Sequence, residues 1–108
     1  MKKAKLAVIG SYAIGMTITC DHFPAGGETV PGTNFQLMHG GKGSNQAVAA
    51  SRLGGEVLYG GCVGNDSFGD MCYRLYQEEH IDTSYIRRSE KGLSTGVGLI
   101  YVDSGGEN

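Results

Sequence analysis

HGGKGSNQAVAASRLGG, residues 39–55, is the stretch that decides how this chain folds. Glycines at 40, 41 and 43 surround Lys42, and an alanine-rich run follows at once. Glycine allows tight turns that bare the backbone, while Ala47, Ala50 and Ser51 recur at helical spacing and Val48 and Leu53 add apolar bulk. The pattern predicts a glycine loop opening into a helix over 43–53, capped by Ser44 or Gly43 and stopped by Gly54. Amides at Gly40 and Gly41 and at the helix start concentrate hydrogen-bond donors, Lys42 adds a charge, and Asn45 brings both a donor and an acceptor. Such a group can cradle a phosphate, hold a hydroxyl-rich ligand, or simply start a helix.

The segments on either side supply the fold class. Upstream, KLAVIG (5–10) is a short apolar run ending in glycine, which predicts a buried parallel strand. MTITCDHF (16–23) is rich in β-branched residues, and TVPGTNFQLMHGG (29–41) reads as two extended pieces broken at Pro31-Gly32. Proline suits an edge or a separate small sheet better than a central strand. Downstream, EVLYGG (56–61) predicts a strand. A second helix follows, capped by Asp66 or Ser67, with Phe68, Met71, Cys72, Leu75 and Tyr76 along one face. TSYIRR (83–88) and STGVGLIYVD (94–103) complete the strands. Alternating strands and helices predict an α/β domain on a parallel sheet, interrupted by the early β-branched insertion.

Composition removes several functions. The chain has 108 residues, enough for one domain at most, with 40% hydrophobic and 19% charged content. Its 19 glycines exceed the usual ~7%, yet only two prolines accompany them and no repeat appears, so collagen and disordered linkers do not fit. Net charge is −2 and no basic run exceeds Lys2-Lys3, which argues against nucleic acid or an anionic membrane as partner. The N-terminal lysines and apolar residues imitate a secretory leader, but the apolar run is short and lacks a cleavage site. No stretch approaches the ~18 apolar residues of a membrane span. Cys20, Cys62 and Cys72 lack metal-ligand spacing and read as reduced thiols of a cytoplasmic protein.

Known motifs narrow the loop further. A P-loop requires glycine at position 36 and Ser or Thr after the lysine, but Gln36 and Gly43 stand there. VIGSYAIG (8–15) lacks the Gly-x-Gly-x-x-Gly of a dinucleotide fold and leads into a strand. His22, His39 and His80 are scattered and read as loop or surface residues, no nucleophile elbow occurs, and capping explains Asp66 and Asp70.

GGETVPGTNFQLMHGGKGSNQAVAASRLGGEVLYGGCVGNDSFGD (26–70) resembles the signature region of the ribokinase-like, or PfkB, carbohydrate kinases. The similarity continues through IDTSYIRR to STGVGLIYVDSGGEN and so covers essentially the whole chain. It implies a ribokinase-like three-layer α/β sandwich with a small β-sheet lid, and residues 1–108 as the N-terminal part of one such domain. The lid would comprise strands within 16–39 and 94–102. The family phosphorylates a hydroxymethyl group of a sugar or nucleoside with ATP and Mg²⁺. By the same resemblance Gly40, Gly41, Lys42 and Asn45 line the sugar site, Val97 or Leu99 covers the sugar, and lids can clasp into a homodimer.

Two departures qualify the resemblance. Ribokinases carry an Asn-x-Asp pair after the first strand that binds sugar hydroxyls, whereas this chain has Ala13 and Gly15 there. Losing such a contact costs ~1–3 kcal/mol when a partner is left unsatisfied, which implies another substrate or weakened ribose binding. The family's catalytic base and glycine-rich anion hole lie far beyond residue 108, so no catalytic, nucleotide or metal residue is assigned here. These residues alone are not expected to phosphorylate a sugar. The alternative expectation is a non-catalytic lid and half-sheet module that self-associates through exposed strand edges.

Overall fold

The computed structural model describes residues 2–108. In chain order it contains β1 (Lys5–Ile9), β2 (Ala13–Cys20), β3 (Gly32–Gly40), α1 (Lys42–Arg52), β4 (Glu56–Val63), α2 (Ser67–Glu78), β5 (Asp82–Arg88) and β6 (Gly96–Val102). β1, β4 and β5 form a parallel sheet in the order β1-β4-β5. β3, β2 and β6 form a second sheet in that order, with β2 antiparallel to β3 and parallel to β6.

Side-chain alternation shows where the core lies. Val57, Tyr59 and Val63 project from one face of β4 and join Ile86 of β5, Ala47 of α1 and Cys72 and Tyr76 of α2 in one buried cluster. Both helices therefore cover the same face of the parallel sheet, as right-handed crossovers in one direction require. Ile9 and Tyr85 on the opposite face are exposed. The α/β class and the separate small sheet agree with the sequence reading, and the described residues build the sheet and the helical layer on one of its faces. β1 differs from expectation. It pairs only with β4, and four of its five residues are exposed although the run is apolar. An apolar run cannot reveal whether its strand is central or at an edge.

Other boundaries move for local reasons. β2 begins at Ala13 rather than Met16, and β3 is a single strand starting at Gly32, with Pro31 just outside it. α1 starts at Lys42 with Gly41 as its cap residue, not Ser44 or Gly43. Its exit follows the glycine rule: Gly54 has a φ of 98° and donates its amide to the Ser51 carbonyl at 3.0 Å. In α2 the Asp66 carboxylate accepts the Gly69 amide at 2.8 Å, the predicted cap, and Asp70 lies in the first turn where the helix dipole favours it.

Candidate functional site

The glycine loop joins the end of the small sheet to the start of α1. Gly41 has φ 98° and ψ 128°, a backbone region that L side chains rarely adopt. A Cβ there would also run into the Ser11 carbonyl oxygen. On the other side the end of β1 meets the first turn of α1, where a Cβ on Gly10 would lie 3.0 Å from Gly43 Cα. Backbone thus packs directly on backbone, and both segments need glycine. α1 has no side-chain cap and no acidic residue in its first turn. The first hydrogen bond of the helix runs from the Asn45 amide to the Gly41 carbonyl at 2.9 Å. The preceding amides are therefore turned toward the helix mouth without a capping side chain. Lys42 and Asn45 are exposed beside them. Asn45 also borders an open groove of about 530 Å³ between α1 and α2, shared with His39 and Arg52.

Buried Tyr12, Ser44, Tyr59 and Tyr76 lie beneath the loop, with the exposed His39 at their rim. Tyr12 and His39 Nδ1 lie 2.6 Å apart in a hydrogen bond that ties the residue before β2 to the end of β3. The sequence reads His39 as a loop or surface histidine; it is exposed, but at the end of β3 rather than in a loop, and it anchors Tyr12. Ser44 is buried on α1, and Tyr59 and Tyr76 pack ring against ring with centroids 4.8 Å apart. Burial, and then the nearby Cys72, pushes the Tyr12 hydroxyl up to about 12. Burial also pushes the Cys72 thiol up to about 12 and raises Tyr59 and Tyr76. These groups stay protonated at neutral pH, so they shape the loop without serving as bases.

Register separates the two faces of the small sheet. Gly40, Ala13 and Gly96 lie in one cross-strand row, and Met38, Gly15 and Gly98 in the next on the same face. A Cβ on Gly96 would contact the Ala13 Cβ at 3.5 Å, which fixes that shared direction. Val97 pairs with Ile14, and Leu99 with Met16, so both belong to the opposite face. The structure therefore brings Gly40, Gly41, Lys42 and Asn45 together at the helix mouth and places Val97 and Leu99 across the sheet from Ala13 and Gly15. The resemblance offers Val97 or Leu99 as cover for the sugar, and strand register turns both away from the face of Ala13 and Gly15.

No three His, Cys, Asp or Glu side chains converge as a metal cluster among the described residues, and we assign Mg²⁺ no ligand here. No described helix is long and apolar enough to cross a membrane. Cys20, Cys62 and Cys72 are all free, with only Cys62 exposed.

Comparison with known proteins gives a consistent result. The profile described as pfkB family carbohydrate kinase matches residues 3–108. A ribokinase of Haemophilus influenzae is 41% identical over 103 residues, covering 95% of this chain and 33% of its own length. A deoxyribokinase of Salmonella typhi is 37% identical over 103 residues with the same coverage of 95% and 33%. The structure of Arabidopsis thaliana ribokinase complexed with ribose and ATP superposes over 100% of this chain and 35% of its own, with a TM-score of 0.90 at 25% identity. The chain thus spans about a third of the length of the curated relatives it matches (33% in both).

Proposed function

Because the chain belongs to the pfkB family of carbohydrate kinases, we propose that residues 39–45 form the sugar-holding loop of a protein that phosphorylates a hydroxymethyl group of a sugar or nucleoside. The observation that carries this reading is the uncapped mouth of α1, held open by Gly41 and flanked by Lys42 and Asn45. Its amides and the Asn45 carboxamide hold sugar hydroxyls. The Lys42 ammonium offsets negative charge as the phosphoryl group approaches, which is the main demand of phosphoryl transfer. ATP with Mg²⁺ supplies that group when bound. Residues 2–108 contribute loop and lid to this reaction, and we assign none of them as base or nucleotide ligand.

The lid face continuous with the loop, through Gly40, Ala13, Gly15 and Gly98, lies over the sugar in this reading. That face presents the backbone and small side chains of Gly40, Ala13, Gly15 and Gly98 together with the exposed Met38, and no carboxylate beside the loop, so the loop carries most of the polar recognition. Its opposite face, with exposed Leu37, Val97 and Leu99, suits a clasp with the lid of a second copy. Three free cysteines fit a reducing, cytoplasmic setting.

Asn45→Ala in the whole protein tests the assignment. Losing one hydroxyl contact of ~1–3 kcal/mol is expected to raise KM for the sugar by roughly 5- to 150-fold. KM for ATP is expected to stay unchanged. An unaltered sugar KM would refute the role of Asn45.

A further inference from the structure

Thr95 is the last residue before β6 and is 2% exposed, although it is polar and stands at the edge of the lid. Its surroundings explain that burial. The Asp66 carboxylate accepts the Thr95 hydroxyl at 2.6 Å and the Thr95 amide at 2.9 Å. The Thr95 hydroxyl oxygen in turn accepts the Gly64 amide at 2.8 Å. One carboxylate thus caps α2 through Gly69 and grips the root of a lid strand 29 residues away. Arg88 closes the cluster from β5, donating to the Gly64 carbonyl at 3.1 Å and pairing with Asp70. The connector from β5 is held at its start as well, where the Ser89 amide donates to the Val63 carbonyl at 2.7 Å.

The grip has a direct route to the loop. Gly96, next in sequence to Thr95, pairs with Ala13, and Ala13 pairs with Gly40 on its other side. β6 and β2 run in continuous register from Ala13–Gly96 to Thr19–Val102, so β6 cannot shift without carrying β2. We propose that Asp66 and Thr95 form a latch that sets how the β3-β2-β6 sheet sits over the glycine loop, making Thr95 a positioning residue for the sugar site. The functional half of this proposal rests on the sugar-loop reading above; the mechanical half does not.

Three variants separate latching from capping and folding. Thr95→Val keeps the shape and removes the hydroxyl. Thr95→Ser restores the hydroxyl and so should restore the latch. Asp66→Asn keeps an oxygen that caps α2 and accepts the Thr95 hydroxyl, since asparagine is a good cap, but turns an NH₂ toward the Thr95 amide and leaves that donor without its acceptor. The readout is amide hydrogen exchange, with the sugar dissociation constant measured alongside. Local opening should speed exchange in residues 96–102 and 13–19 by roughly tenfold or more in Thr95→Val and Asp66→Asn. α2 and β4 amides should change by less than about threefold, and Thr95→Ser should return to the parent rate. Equal acceleration throughout the chain, or no acceleration in the lid, overturns the latch. Where the parent protein binds sugar, affinity should fall about tenfold with the loosened lid, the worth of roughly one hydrogen bond to the bound sugar. An unchanged affinity with a loosened lid overturns Thr95 as a positioning residue. A parent protein that binds no sugar defeats the sugar-loop reading, while the exchange pattern still decides the latch.

Discussion

Gly41→Ala is expected to lower the stability of the protein by about 2–6 kcal/mol. Holding a non-glycine residue at φ 98° and ψ 128° costs ~1–3 kcal/mol in backbone strain. Fitting the methyl group against the Ser11 carbonyl adds ~1–3 kcal/mol of overpacking, because that carbonyl belongs to backbone and cannot swing aside as a side chain would. Urea unfolding should show a lower midpoint with the slope unchanged. Gly26→Ala is the control: a Cβ there meets nothing within 4 Å, so its effect should stay within ~0.5 kcal/mol. Equal effects at the two positions would mean that the loop is not held in the described conformation.

Ile14→Ala should cost about 2–5 kcal/mol, the range for emptying a well-packed aliphatic site. Ile14 lies in β2, the middle strand of the small sheet, yet it is 0% exposed and packs in the same cluster as Ala47, Tyr59 and Tyr76. The base of the small sheet is therefore part of the core. The loss should appear in one cooperative transition, with far-ultraviolet dichroism and tyrosine fluorescence giving coincident curves. Separate melting of the small sheet, or a loss under about 1 kcal/mol, would contradict this packing.

The two predictions mark how far the sequence could be read. Local chemistry was legible: Asp66 caps α2, Gly54 ends α1, and the stripe of Cys72 and Tyr76 enters the core. The break at Pro31-Gly32 placed the start of β3. Contacts between distant segments were not. The Tyr12–His39 pair spans 27 residues and the Thr95–Asp66 pair 29, and neither leaves a periodic signal. A glycine pattern suggested a turn, but the contact of Gly10 with Gly43 depends on where β1 ends in space. The resemblance offered Val97 or Leu99 over the sugar, while their placement opposite Ala13 and Gly15 depends on pairing with β2. The candidate loop was thus legible as a cluster of donors, and the facing of the small sheet beside it was not.

That loop is the center of the account, and backbone amide shifts measure it most directly. Ribose, 2-deoxyribose and a nucleoside are each titrated into ¹⁵N-labelled protein. Saturable shifts with at least one of them should center on Gly40, Gly41, Gly43 and Asn45 and reach Gly15 and Gly98 on the adjoining lid face. Saturable shifts that leave these residues unmoved, or no shift with any of the three, would contradict it.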